Sequence, residues 1–445
     1  MSDHVVLLSV PGLRRSDLEQ MPNLRSLVAE GEQVPLVPSF PAVTWPVQAN
    51  LVTGKVPSQH GVVANGFYWR DRHQVEMWTA GNEALQQPQI WDIMREHDPS
   101  LTSAVWFPML SKRCNADYVC MPAPIHNPDG SESLWCYSHP QEYYGELRDA
   151  LGHFPLQHFW GPLANIQSTA WIADSAVHAA KKYRPNFFYI YLTHLDYAAQ
   201  KMGPDSPEAQ AAVVELDEVL GRMIDGFSEA YGDSSPLWLV ASEYTIEAVD
   251  HVTYPNRVLR EAGLLEVRQE EGVDNPGELI DFENSQAWAL VDHQASHVYV
   301  KDADESIARR VVELFQNRSG ICEALRGGER AKYDLDHPRS GEVILVSDTN
   351  SWQAYYYWVN DSDAPSFART VDIHRKPGYD PVELFFDPST KGIPLDATLV
   401  KGSHGAPVST EKAGGVLLSS EVGVLLDRAT ADTQVADFVL RQFGI

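Results

Sequence analysis

Five short runs of apolar, largely β-branched or aromatic residues punctuate the chain: VVLLSV at 5–10, TSAVWF at 102–107, NFFYIYL at 186–192, PLWLVAS at 236–242 and GEVILVS at 341–347. Each reads as a strand covered on both faces, since a half-exposed strand would alternate with polar residues. Helical patterns lie between them. Residues 17–31 place Leu18, Met21, Leu24, Leu27 and Val28 on one helical face. Residues 206–232 open with Ser-Pro-Glu and keep the 3.6-residue period for about seven turns. Strands alternating with helices predict an α/β fold, a mostly parallel central sheet with helices on both faces. Residues ~246–340 differ: HVYV at 297–300, a helix pattern at 304–317 and a charged loop predict a small α+β insertion. The expected organisation is therefore a core from 1–245, an insertion at 246–340, and a second part of the core at 341–445.

With 445 residues the chain can bury a large core. No apolar run approaches the ~20 residues needed to span a bilayer, and strand-like sequence begins at Val5 with no basic leader before it. The expected location is cytoplasmic. The net charge of −27 argues against nucleic-acid polymers and anionic membranes as partners, and leaves room for a small phosphorylated ligand; the oligomeric state is left open. Four cysteines (Cys114, Cys120, Cys136 and Cys322) are too few for a disulfide framework and match no zinc spacing, so reduced core thiols are expected.

Open α/β sheets place ligands beyond the C-terminal ends of their strands. The first strand ends there at Pro11, which has no polar side chain and no N–H. The informative segment is PSFPAVTWPVQANLVTGKVPSQHGVVANGFYWR, residues 38–70. Its Pro-rich loop delivers Thr44, and Pro46 marks the first helical turn that follows. The Thr44 hydroxyl then sits at a helix N-terminus, where free N–H groups and the dipole favour an anion; a Ser or Thr there is also an ordinary helix cap.

This segment resembles the nucleophile region of the alkaline phosphatase superfamily, and within it the nucleotide pyrophosphatase/phosphodiesterase (type I phosphodiesterase) family. Thr-Trp-Pro, Leu-Val-Thr-Gly, Pro-Ser-Gln-His-Gly and Asn-Gly follow in order, and HLDYAAQKMGPDSP, DHPRSGEVILVSD and KGSHGAP continue the likeness to the C-terminal region. The resemblance implies an alkaline phosphatase-like fold. It implies that Thr44 attacks phosphorus, that Asn65 helps hold a phosphoryl oxygen, and that Trp45 and Tyr191 stack on a substrate base. It also implies two zinc ions held by three aspartates and three histidines, one activating the threonine. At those positions stand Pro11, Asp196, Gln200, Glu243, Tyr244 and His404. Asp196 and His404 match, Glu243 is an acidic stand-in, and Gln200 is a weak neutral ligand. The expectation is at most one divalent ion, zinc or manganese, or none.

Three clusters offer replacement ligands: Asp292, His293 and His297 in VDHQASH, Asp372 and His374 in VDIHRKPGYD, and His194 two residues before Asp196. His374 is favoured for its place in the loop region ahead of His404, and Arg375 or Lys376 could clamp a phosphate directly. Two function classes follow. One is a hydrolase acting on a phosphodiester or phosphorylated small molecule through Thr44 with a reduced or rebuilt metal site. The other is a catalytically inactive family member that binds a phosphorylated ligand.

Overall fold

A computed structural model describes residues 2–126, 132–273, 276–408, 414–426 and 428–445. In chain order the strands of its two larger sheets are β1 (Val5–Ser9), β2 (Glu32–Val37), β3 (Ser103–Trp106), β4 (Tyr118–Pro122), β5 (Cys136–His139), β6 (Phe187–Tyr191), β7 (Leu237–Ala241), β8 (Ala287–Asp292), β9 (Ala295–Val300), β10 (Ile321–Arg326), β11 (Val343–Ser347), β12 (Val416–Ser419) and β13 (Thr430–Ala431). The helices that matter to the site are α1 (Thr44–Thr53), α2 (Ile166–Tyr183), α3 (His194–Met202), α4 (Pro207–Tyr231), α5 (Glu305–Phe315) and α6 (Val435–Gln442).

The main sheet has nine strands in the order β13-β2-β12-β7-β1-β6-β3-β4-β5. Its centre, from β7 through β1, β6 and β3 to β4, is parallel throughout. Every residue of β1, β6 and β7 is buried, and successive side chains point to opposite faces. Val6 and Leu8 therefore join a core under α2 and α4, while Val5 and Leu7 join a core under α1 and α6. Each fully buried side chain of this kind stabilises by roughly 1.5–3 kcal/mol. The register decides where the site lies. Ser9 pairs with Tyr191 on one side and Ala241 on the other, so β1, β6 and β7 end level at one edge.

The second sheet is antiparallel, in the order β8-β9-β11-β10, and α5 packs against β10 and β11. Here one expectation is corrected. The run at 341–347 does not resume the main sheet: β11 pairs with β9 and β10. The core around this second sheet extends to Val400, and the chain re-enters the main sheet only at β12. A continuous apolar run says that a strand is buried but not which sheet buries it. The helical face read at 17–31 is also broken. A 3-10 turn at Arg15–Gln20 gives way to a short helix at Pro22–Leu27, because Pro22 cannot donate the bond that would join them. In contrast, α4 runs its full length with the Ser206 side chain accepting the Ala209 N–H. Cys114, Cys120 and Cys136 are buried free thiols, but Cys322 is free and exposed rather than in the core. Among the described residues no helix is long and apolar enough to cross a membrane.

Candidate functional site

The level strand ends gather one group of side chains. Beyond β1 the chain turns at Pro11 and Gly12, whose N–H donates to the Tyr244 carbonyl at 2.9 Å. Gly12 has φ +81°, and a Cβ there would press on Leu195 at 3.3 Å. Beyond β7 come Glu243 and Tyr244. Beyond β6, Thr193 leads into α3, which places Asp196 in the first helical turn. Opposite them α1 starts at Thr44, after the extended Val43.

Thr44 lies within a hydrogen-bond chain. Its Oγ1 is 3.1 Å from the Tyr244 hydroxyl, which donates to Asp196 Oδ2 at 3.2 Å. With the Tyr244 proton committed to the carboxylate, Thr44 is the donor to Tyr244. The next helix donors are already used. The Trp45 N–H donates to Asn65 Oδ1 at 2.9 Å, Pro46 has none, and the Val47 N–H donates to the Val43 carbonyl at 3.1 Å. Asn65 is itself held by Asp292, to which it donates from its backbone N–H at 2.8 Å and its Nδ2 at 3.0 Å. Little of the anion-binding capacity expected of this helix end is left over.

Among the described residues, both acids at the strand ends are buried without a cation. Asp196 keeps one partner, Tyr244, and its Oδ1 has none. Burial pushes its carboxyl up to about 7 against the pull of that hydrogen bond. Glu243 Oε1 accepts from Ser9 Oγ at 2.5 Å and from Gln48 Nε2 at 2.8 Å, while Oε2 has no partner. Burial pushes Glu243 up to about 8, opposed by those two bonds. The neighbouring imidazoles are held well below their ordinary value by burial and are neutral. His404 Nδ1 donates to the Ala42 carbonyl at 2.7 Å, and His293 Nδ1 to Asp292 Oδ1 at 2.7 Å.

Four rings form a column through this region. Tyr244 stacks on His404 at 3.6 Å, His404 lies 3.9 Å from His293, and His293 stacks on Tyr379 at 3.6 Å. The Tyr379 hydroxyl donates to Gln200 Oε1 at 2.7 Å. The donor set therefore does not fit the metal pair that the resemblance implies. Zinc takes His, Cys and carboxylate donors. Here the Tyr244 phenol lies between Thr44 and Asp196, Gln200 is engaged by Tyr379, and Glu243 is engaged by Ser9 and Gln48. Among the described residues no three His, Cys, Asp or Glu side chains are placed to hold an ion.

The pocket beside Thr44 has a cavity volume of about 100 Å³. Thr44, Tyr191, Asp196, Tyr244, His293 and His404 line it, with Thr193, Met109, Ile373 and the aromatic side chains of Trp78, Phe159, Trp160, Tyr197 and Tyr379. The expected residues divide accordingly. Thr44, Asp196, His404 and Tyr191 meet there, and Asn65, Glu243 and Gln200 stand behind them as partners of other groups. Trp45 does not line this pocket: it is fully buried against Phe67, at 5.6 Å between ring centroids. His374 is not part of the site either. It is exposed and its Nδ1 meets the Met77 carbonyl at 3.2 Å. His194 turns to Glu215 at 2.8 Å: β6 ends at Tyr191 and α3 begins at His194, so the two-residue spacing does not put it on one face with Asp196. His297 is held by the Val63 carbonyl and the Gly341 N–H. Of the replacement candidates only His293 reaches the pocket, with Asp292 behind it.

Lys376 is no phosphate clamp, since it lies 2.8 Å from Asp380 and 2.6 Å from Glu383 in the interior. Trp78, the adjacent Phe159 and Trp160, Tyr197 and Tyr379 were not legible in the sequence, since they come from four segments with no shared spacing to mark them.

The family described as type I phosphodiesterase / nucleotide pyrophosphatase matches residues 5–380. Among curated proteins, the chain is 26% identical over 239 residues to an uncharacterized pyrophosphatase/phosphodiesterase of Schizosaccharomyces pombe, covering 51% of this chain and 41% of that one. It is 25% identical over 232 residues to the bis(5'-adenosyl)-triphosphatase ENPP4 of Bos taurus, covering 49% and 42%. The matched segments thus span less than half the length of these relatives. Among solved structures, phosphonoacetate hydrolase from Sinorhizobium meliloti in complex with phosphonoformate superposes with a TM-score of 0.64 at 16% identity, over 98% of this chain and 95% of that one. Murine ectonucleotide pyrophosphatase/phosphodiesterase 5 in complex with AMP superposes with a TM-score of 0.63 at 14% identity, over 99% and 95%. At such identities the likeness shows the fold.

Proposed function

Because the chain belongs to the type I phosphodiesterase / nucleotide pyrophosphatase family, we propose that it keeps the family's pocket as a small-molecule binding site and has given up two-metal hydrolysis. The observation that carries this reading is the Tyr244 hydroxyl, bonded to Thr44 at 3.1 Å and to Asp196 at 3.2 Å where two metal ligands and a nucleophile would face an ion. An unassisted threonine hydroxyl is a weak nucleophile, and among the described residues no lysine or arginine lines the pocket to balance charge on phosphorus. Loss of a single oxyanion donor already costs roughly 3–4 kcal/mol, so a site that binds neither ion would lose about 10³-fold or more in rate.

The test is a chromogenic phosphodiester assay with added Zn²⁺ or Mn²⁺, comparing wild type with Thr44→Ala. The expected result is no difference between them. Restoring Pro11→Asp alone leaves turnover unchanged, since Glu243 and Tyr244 stay as they are. A second reading, hydrolysis through Thr44 with one rebuilt metal site, draws on the meeting of Thr44, Asp196 and His404 in one pocket. Robust wild-type turnover that disappears in Thr44→Ala establishes that reading and overturns the first.

A further inference from the structure

The chemistry of the pocket wall narrows what can occupy it. Trp160 lies 5.5 Å from Tyr379 and 6.3 Å from Tyr197 between ring centroids, and Trp78 lies 6.2 Å from Tyr379. Interplanar angles of 47°, 63° and 61° set these rings as inclined walls rather than a flat stack. Their polar tips are tied elsewhere. The Trp160 indole N–H donates to Glu383 at 2.5 Å, the Tyr379 hydroxyl to Gln200, and the Tyr197 hydroxyl to the Phe159 carbonyl. What these walls offer a ligand is π surface.

The charge pattern adds a second, independent observation. Among the described residues no lysine or arginine lines the pocket, and the one carboxylate that does, Asp196, is 7% exposed with no hydrogen-bond partner for its Oδ1. A net charge of −27 surrounds it. A phosphate in this place would face a carboxylate with no counter-charge. A cation would face a carboxylate and the negative faces of several rings, an arrangement suited to alkylated ammonium groups.

We propose that the pocket beside Thr44 binds an organic ammonium group, enclosed by Trp78, Trp160, Tyr197 and Tyr379 and paired with Asp196. This deepens the non-hydrolytic reading above and rests on it. Rings supply attraction for a soft, weakly hydrated cation that shares no hydrogen bonds with them, while Asp196, in its ionised form, supplies the single charge. The overall negative field raises the local concentration of such a ligand.

The experiment is calorimetric titration of the full chain with tetramethylammonium and with tert-butanol, which has a similar shape and no charge, followed by AMP and inorganic phosphate. The expected result is binding of tetramethylammonium at least about tenfold tighter than tert-butanol. Asp196→Asn, which keeps an acceptor for Tyr244, should weaken the ammonium about tenfold or more and leave tert-butanol unchanged. Trp160→Leu gives the same loss by a different route if Asp196→Asn does not fold. Equal binding of tert-butanol and tetramethylammonium would overturn the proposal in favour of a merely apolar pocket. Binding of AMP or phosphate without the ammonium would overturn it too, and in the absence of turnover would leave the non-hydrolytic reading standing. Phosphodiester turnover dependent on Thr44 would remove both.

Discussion

Two pairs of buried acids in this protein have opposite surroundings. Asp380 and Glu383 share Lys376, which is 1% exposed and lies 2.8 and 2.6 Å from them. Burial alone would push Lys376 down, but the two carboxylates outweigh it and hold the ammonium above its ordinary value. Asp196 and Glu243 are buried as deeply, yet their partners are neutral hydroxyl and amide groups, and each keeps an oxygen with no partner. The first pair anchors the wall of the pocket, since Glu383 also accepts from Trp160 and from the Asp372 N–H. Of the second pair, Asp196 lines the pocket and Glu243 stands behind it. Burial without counter-charge costs stability, so groups left in that state mark a place where something other than folding decides the residue.

Removing Lys376 breaks the comparison most sharply. Lys376→Met leaves two buried carboxylates facing each other and should cost about 3–5 kcal/mol, read as a lower denaturation midpoint in urea. The next effect is pH-dependent. Asp196 and Glu243 rise from 3.8 and 4.5 to about 7 and about 8 on folding. Between those limits the native state binds more protons than the unfolded chain, so the stability present below about pH 4 is lost as pH rises toward 8. Each of the two groups should contribute on the order of 3 kcal/mol to that change between pH 5 and 8, followed by denaturation at several pH values. Glu243→Gln should flatten the upper part of that slope and raise stability at pH 8; an unchanged slope would show that Glu243 is not the group responsible.

Tyr244→Phe removes the hydroxyl that links Thr44 to Asp196. It should cost about 1–3 kcal/mol and move Asp196 further up, visible as a protonated carboxyl band in infrared difference spectra. His374→Ala is the smallest. It touches an exposed side chain outside the pocket, and should change stability by no more than about 0.5 kcal/mol and leave ligand binding as it was. A loss of binding in His374→Ala would bring that residue back into the site.

The sequence by itself determined the features that depend on neighbouring residues. The five buried strands are where their apolar runs place them, α4 follows from its period and its Ser206 cap, and α1 starts at the Thr44 turn that Pro46 announces. The family followed from motif order, and with it the Thr44, Asp196 and His404 meeting. Distance along the chain hid the rest. The partner of Val343–Ser347 could not be read, because a strand's hydrogen bonds are directed at another strand and leave no mark on its own residues. His374 was favoured over His293 because only loop order was visible, whereas the β8–β9 turn carries His293 to His404. Tertiary structure alone decided that Tyr244, His404, His293 and Tyr379 stack as one column, that Lys376 is consumed by two acids, and that Asp196 is left without a cation. The ring column and the surroundings of Asp196 depend on packing between residues tens to hundreds of positions apart, which meet only at the sheet edge, whereas Lys376 and its two acids are close in sequence and it is their burial that the fold decides.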